Sequence, residues 1–372
     1  MKSNYRALSE LIEKVDERND DGAITELIGV SIDKCFIKSV ANTNGTDLSK
    51  YKIIRKNEFA VSLMQVSRDS KIPVARLEDY EVAIMSPAYP IFRVKDTRKI
   101  LPEYLDMWFK RPEFDREAAF IAVGGVRGSM PWEEFVKMKL PVPTIEKQLE
   151  IVNSYKAITE RIALKQKIND NLLDSVQAIF RSWFVDYDPF DGVCPSNWET
   201  GCVEDIAEFF DSMRKPLSSL ERTDMERIYP YYGAVSIVDY VDDYIFDGEY
   251  LLVSEDGIYV VDENGHPLIQ HISGKFWANN HAHILKGKSG FNEDSLYLFL
   301  ANTNMAPIVT GAAQPKINQA NLKSFPITIP DSETMLKFNN IIQPFFDQRL
   351  TNESEIKKLA ALQSLLLTRL VD

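Results

Sequence analysis

The sequence predicts an α+β chain built as an internal pseudo-twofold repeat: two mixed globules and two long helices that form an antiparallel coiled coil. Three observations carry this expectation. Segments at a constant offset correspond, each ends in a heptad-spaced helix, and each helix follows a region of short strand-like runs.

The offset is 187 residues. Gly124 falls on Gly311, Met130 on Ile317, Phe135 on Leu322, Leu140 on Ile327, Val142 on Ile329 and Pro143 on Pro330. At that proline both segments pass into a helical pattern. The first pattern carries Ile151, Tyr155, Ile158, Ile162, Lys165, Asn169, Leu172, Val176, Ile179 and Trp183, alternately four and three apart. That spacing is a coiled-coil seam. The offset maps it onto Phe338, Ile342, Phe345, Arg349, Asn352, Ile356, Leu359, Gln363, Leu366 and Leu370, of which seven are apolar.

Each helix would run about 60 Å at 1.5 Å per residue. An apolar stripe that long must be buried, and its own repeat offers the matching stripe. If Ile151 meets Leu370 in an antiparallel pair, Asn169 faces Asn352, and a polar pair within a seam fixes register. Pro344 should kink the second helix or restart it. The resulting division is a globule over 1–144, a helix over 145–185, a Pro/Gly/Asp/Asn-rich linker over 186–197, a globule over 198–331 and a helix over 332–372. Runs such as Val82–Met85, Tyr250–Ser254 and Gly257–Val261 read as strands, and Pro102–Lys110 and Asp294–Ala301 as short helices.

Composition fits a globular chain of 372 residues, with 45% hydrophobic and 26% charged residues. Neither a signal peptide nor a membrane span is apparent, so the expected location is the cytoplasm. Cys35, Cys194 and Cys202 lack metal-ligand spacing and read as reduced thiols. The formal charge of −12 is unevenly spread. Residues 1–144 hold 23 Lys+Arg against 22 Asp+Glu, and the remainder holds 20 against 33. A nucleic-acid partner would therefore need a local basic face in the second half.

Catalytic patterns are weak. Gly287-Lys-Ser289 ends like a phosphate loop, but Ala282 stands where the leading glycine belongs. Gly124–Gly128 lacks dinucleotide-loop spacing. His281 and His283 would share a face if both lay on one strand, yet no adjacent Cys or carboxylate trio completes a metal set, and a hydrogen-bonding strand face is the simpler reading. Asp188-Pro-Phe190 resembles part of an adenine-methyltransferase motif, without its second proline or a cofactor loop. No catalytic residue and no metal ligand is assigned.

Gln177-Ala-Ile-Phe-Arg-Ser-Trp-Phe-Val-Asp-Tyr-Asp-Pro-Phe190, followed by Pro195 and Trp198, resembles the central region of type I restriction-modification specificity subunits. So do Trp132–Pro143, Gly274–Leu285, Ala312–Asn318 and Ile327–Pro330. The chain departs from that family in its very short end after Leu370. The resemblance implies two target-recognition domains, each reading half of a split DNA site, with the helices setting the gap. It implies two copies of an adenine-N6 methyltransferase subunit and a restriction/translocation subunit as partners. S-adenosylmethionine, ATP and Mg would belong to those partners, and this chain would be non-catalytic.

For DNA contacts, Lys52, Arg55, Arg68 and Lys71 form a basic stretch in the first domain, and Arg127, Ser129 and Trp132 form its candidate base-reading loop. The corresponding second loop offers Gln314, Lys316, Asn318 and Gln319. Arg214, Lys215, Lys286 and Lys288 are the expected phosphate contacts there. The helix and partner surface comprises Ile151, Ile158, Ile162, Asn169, Leu172, Val176, Ile179, Phe180, Trp183, Phe184, Phe345, Asn352, Ile356, Leu359 and Leu366. The aromatic excess at Phe180, Trp183 and Phe184 suits methyltransferase docking, the adjoining domain or plain core packing. The alternative reading of the whole chain is a structural adaptor with two binding globules on a coiled-coil spacer.

Overall fold

A computed structural model describes residues 4–39, 47–64, 66–123, 128–257, 260–311 and 313–371. The chain divides into two compact units, 1–165 with 355–372, and 166–354.

In chain order the first unit contains β1 (Tyr5–Ala7), α1 (Leu8–Leu11), β2 (Ile12–Val15), β3 (Ile28–Val30), β4 (Phe36–Lys38), β5 (Lys52–Arg55), β6 (Phe59–Val61), α2 (Val66–Asp69), β7 (Val74–Arg76), β8 (Val82–Met85), β9 (Ile91–Val94), α3 (Pro102–Phe109), α4 (Pro112–Ile121), α5 (Trp132–Phe135) and β10 (Lys139–Pro141). The helix α6 (Ile145–Phe184) begins here. Prolines open α3 and α4 at the position where a missing N–H costs nothing. The main sheet runs β2-β9-β6-β7. Its core stacks Phe59 on Phe92, with Phe109, Phe114 and Phe135 around them.

The second unit contains β11 (Glu199–Cys202), α7 (Val203–Ile206), β12 (Ala207–Phe209), α8 (Ser219–Thr223), β13 (Tyr229–Tyr232), β14 (Ile237–Val241), β15 (Phe246–Ser254), β16 (Ile269–Ala278), β17 (Ala282–Gly287), α9 (Glu293–Ala301), α10 (Gln319–Lys323), β18 (Pro326–Ile329) and much of α11 (Ser332–Thr368). Its sheet runs β12-β17-β15-β16-β13-β14. Phe246 of β15 pairs with Phe276, and Ser254 at its other end pairs with Ala282. Six residues of chain reach at most about 21 Å, whereas that stretch of β15 is about 27 Å long. The sheet must therefore curl, and it does so around Phe246, Tyr250, Ile272, Phe276 and Ile284.

The repeat is visible bond by bond. The Leu8 N–H donates to Met138 O at 2.9 Å, and the Val203 N–H to Phe325 O at 3.0 Å. The Glu10 carboxylate accepts the Ala7 N–H, and Asp205 accepts that of Cys202. β1 pairs antiparallel with β10, and β11 with β18. Before the globule the offset is 195, since Leu8 matches Val203; after it the offset is 187, since Met138 matches Phe325. The first globule is thus longer by a net eight residues. Thr144 and Asp331, also 187 apart, each accept backbone N–H groups at the start of a long helix.

The helices run antiparallel within each unit. In the first, Arg161 and Lys165 pair with Glu355, and Gln363 Nε2 donates to Thr159 Oγ1 at 2.7 Å. Ile158, Ile162, Ile356, Leu359 and Leu366 are half-buried, and Ile151 packs on the core that includes Leu367 and Leu370. In the second, Asn352 Nδ2 donates to Asn169 Oδ1 at 2.8 Å, with the two residues 2% and 8% exposed. Leu172 is half-buried there, Val176 and Phe180 are buried, and Ile179, Trp183, Phe184 and Phe345 pack against the same core. The helix does not restart at Pro344; α11 continues through it with the proline exposed. The exposed ring removes one N–H from a solvent-facing carbonyl, which water can satisfy.

Candidate nucleic-acid interface

The loop from Thr310 to Gln319 in the second unit is held from beneath. Thr310 and Lys316 exchange both backbone hydrogen bonds at 2.8 Å, which closes the loop. Gly311 permits the turn: its φ is +83°, and a Cβ there would lie 2.3 Å from Gln314 O. Gln314 stands exposed at the tip. Ile317 is fully buried, and its N–H donates to Glu255 O at 2.9 Å. The corresponding anchor in the first unit is buried Met130, whose N–H donates to Leu63 O at 2.8 Å.

A buried ionic network fixes the second loop. His283, wholly buried on β17, places Nδ1 2.6 Å from Asp211 Oδ2 and Nε2 2.8 Å from Ile317 O. Gln319 Nε2 donates to the same Asp211 oxygen at 2.7 Å, and the Ile284 N–H donates to the other. Arg214 donates to Glu255 at 2.6 Å and to Ala282 O at 2.7 Å, and lies 3.4 Å from Asp211. Lys316 reaches Glu255 at 2.9 Å. Burial works against the Asp211 charge, but His283, the Ile284 N–H and Arg214 outweigh it and hold the carboxyl below its usual range. Glu255 is likewise lowered against burial by Arg214 and Lys316. Asp211, Glu255 and His283 present converging oxygen and nitrogen atoms that could suit a metal. Two side-chain cations already neutralise the carboxylates, so this donor set does not fit a dication.

The histidines separate. His283 lies inside, whereas His281 precedes β17 in a turn, 48% exposed, with Nδ1 2.6 Å from Asp256 Oδ1. They do not share a strand face, because the strand begins only at Ala282.

The expected DNA contacts fall into three groups. Lys52 is 5% exposed, its ammonium donating to Tyr89 O at 3.1 Å and pairing with Asp16 at 3.4 Å. Burial pulls its pKa down despite Asp16. Arg214 serves the network above. Trp132 packs its ring on Phe92 and Phe135, and Asn318 accepts the Asn321 N–H at 2.8 Å as the cap of α10. In all four the polar or aromatic group is engaged within its own unit. A second group is exposed but ion-paired: Arg55 with Glu17, Arg68 with Asp69, and Lys71 with Asp33 at 3.8 Å. Lys316 is half-exposed and shared with Glu255. The third group comprises Lys215 and Lys288, both exposed, and Lys286, half-buried with its ammonium 4.4 Å from the Tyr250 ring. Ser129 is half-buried beside Gly128; Arg127 lies outside the described residues.

Phe180 and Phe184 pack on Phe299 and Phe338, and Trp183 joins Phe338 and Phe190. Core packing of the second unit thus absorbs the aromatic turn. Trp198 closes the cluster and donates to Asp331 Oδ2 at 3.2 Å.

Residues 195–363 match the family described as type I restriction modification DNA specificity domain. A putative type I restriction enzyme specificity subunit of Haemophilus influenzae is 39% identical over 128 residues, covering 34% of this chain and 32% of that protein. The MjaIX specificity subunit of Methanocaldococcus jannaschii is 22% identical over 297 residues, covering 73% of this chain and 68% of that protein. The chain is thus similar to type I restriction-modification specificity subunits, and its second half matches their DNA specificity domain. Its match to the Haemophilus relative spans about a third of that protein's length. The crystal structure of a type I specificity subunit from M. genitalium shares the fold, with a TM-score of 0.58 at 15% identity, over 99% of this chain and 96% of that one. No helix among the described residues is long and apolar enough to cross a membrane.

Proposed function

We propose that this chain selects a split DNA sequence for a type I restriction-modification complex. Residues 1–144 and 198–331 act as target-recognition domains, each reading one half-site, and the paired helices set the gap. Two copies of an adenine-N6 methyltransferase subunit dock on the repeated helices, and a restriction/translocation subunit joins them in the cytoplasm. S-adenosylmethionine, ATP and Mg are bound by those partners.

The duplicated loop anchor supports this reading most directly. Met130 and Ile317 each fix a loop by one buried apolar side chain and one backbone bond. Two equivalent loops on one chain suit two half-sites. Lys215, Lys286 and Lys288 supply the second domain's phosphate contacts, with Gln314 and Lys316 at the base edges. In the first domain, Arg127 and Ser129 read bases while Arg55, Arg68 and Lys71 exchange their carboxylate partners for phosphates.

The adaptor reading draws on that same pairing of cations and on the acidic second half. Co-expression with the methyltransferase subunit, followed by sequencing that detects N6-methyladenine, separates the two. A split motif methylated across a fixed gap is expected. A stable complex with no new methylation and no salt-dependent DNA binding refutes the DNA reading.

A further inference from the structure

We infer that His281 reads a base in the second domain, accepting a hydrogen bond from the exocyclic amine of adenine or cytosine. The inference rests on the DNA-specificity reading above and deepens it.

His281 lies in the three-residue connection from β16 to β17, where the curled sheet closes. Its backbone is held on both sides: its N–H donates to Asn279 Oδ1 at 2.9 Å, and its carbonyl accepts the Glu255 N–H at 2.9 Å. The next residue, Asp256, holds the ring through Nδ1 at 2.6 Å and forms a backbone bridge with Lys316. The ring is therefore fixed beside the loop that carries Gln314 at its tip. A tight turn and a short hydrogen bond preorganise it at little entropic cost on binding.

The Asp256 carboxylate has only acceptor atoms, so Nδ1 carries the hydrogen between them. With that hydrogen on Nδ1, a ring carrying a single proton offers a lone pair at Nε2. Phosphate oxygens cannot satisfy that lone pair, because they too only accept. In the major groove the available donors are adenine N6 and cytosine N4. The geometry thus favours a base over the backbone, and it favours the two bases that carry an amine in that groove. Lys215 and Lys288 have the opposite chemistry, donors without acceptors, and suit phosphate.

The test compares the full chain with His281→Ala, each co-expressed with the methyltransferase subunit, by N6-methyladenine mapping and by DNA binding of the purified complexes at several salt concentrations. The variant changes an exposed turn residue, and thermal unfolding of the complex checks that it folds. His281→Ala should turn one A or C position of one half-site degenerate, with about tenfold loss of discrimination there. The other half-site and the salt slope should stay unchanged. The degenerate position itself tells adenine from cytosine. Uniform weakening on all sequences, with a salt slope lower by about one, would make His281 a phosphate contact and overturn the inference. An unchanged motif in a folded variant overturns it as well, while leaving the specificity reading standing. If the unaltered chain yields no split motif, the specificity reading fails and takes this inference with it.

Discussion

Asp294 and His271 should give the second unit two opposing pH dependences that largely offset each other. Asp294, in the first turn of α9, is 3% exposed, and its Oδ1 lies 3.6 Å from His271 Nδ1. Burial, reinforced by Glu249, Asp347 and Glu293 and opposed by Arg349, pushes its pKa up to about 7. Burial, aided by Arg349, pulls His271 down to about 4. Between those values both groups are neutral, so the pair is no ion pair despite its spacing. The native state then holds a proton on Asp294 that the unfolded chain releases near pH 4, and this contribution falls as pH rises from about 4 to 7. At 1.36 kcal/mol per unit it amounts to about 4 kcal/mol. His271 acts in reverse: the unfolded chain binds a proton that the native state refuses, so its contribution rises between about pH 4 and 6.5, by about 3 kcal/mol. Asp294→Asn should therefore gain stability relative to the unaltered chain as pH rises from 4 to 7. His271→Asn should lose it from pH 4 to 6.5. Urea unfolding at half-unit pH steps measures both differences. A pH-independent difference for Asp294→Asn would refute the reasoning.

Asn352→Leu leaves the Asn169 amide oxygen without its donor and should cost about 1–3 kcal/mol, most of it recovered when Asn169→Leu is added, as thermal unfolding will show. Lys215→Ala should weaken DNA binding on all sequences and lower the salt slope by about one without altering thermal stability. Arg214→Ala should instead lose about 3 kcal/mol of stability, because Asp211 and Glu255 would keep their burial and lose the arginine they share, leaving Glu255 with Lys316 alone. Gly311→Ala forces a Cβ against Gln314 O at positive φ, so methylation mapping should show recognition failing at one half-site only.

The helix pair was legible because burial repeats every third or fourth residue, and a 187-residue offset carries that rhythm from Ile158 to Phe345 without any knowledge of the globules. The globules were less legible, since their register comes from pairings distant in sequence. The 195-residue offset at Leu8 and Val203 emerges only once the first strand of each globule is seen against the last. Side-chain fate was least legible. Lys52 and Arg214 read as surface cations because charge is visible in a sequence, whereas the carbonyl of Tyr89 or the carboxylate of Glu255 that receives them is not. His281 and His283 looked alike at a spacing of two, yet the start of β17 between them sends one inward and leaves the other outside.

The pairing of β1 with β10, and of β11 with β18, makes each globule a cassette. Paired strands lie about 5 Å apart, so the chain leaves each globule beside the point at which it arrived. Everything between Leu8 and Met138, or between Val203 and Phe325, can change in length or content while the cut ends stay together. The two halves already carry globules that differ by a net eight residues on the same pair of junctions. Grafting a foreign reading head at those junctions would leave the helices and their asparagine layer untouched.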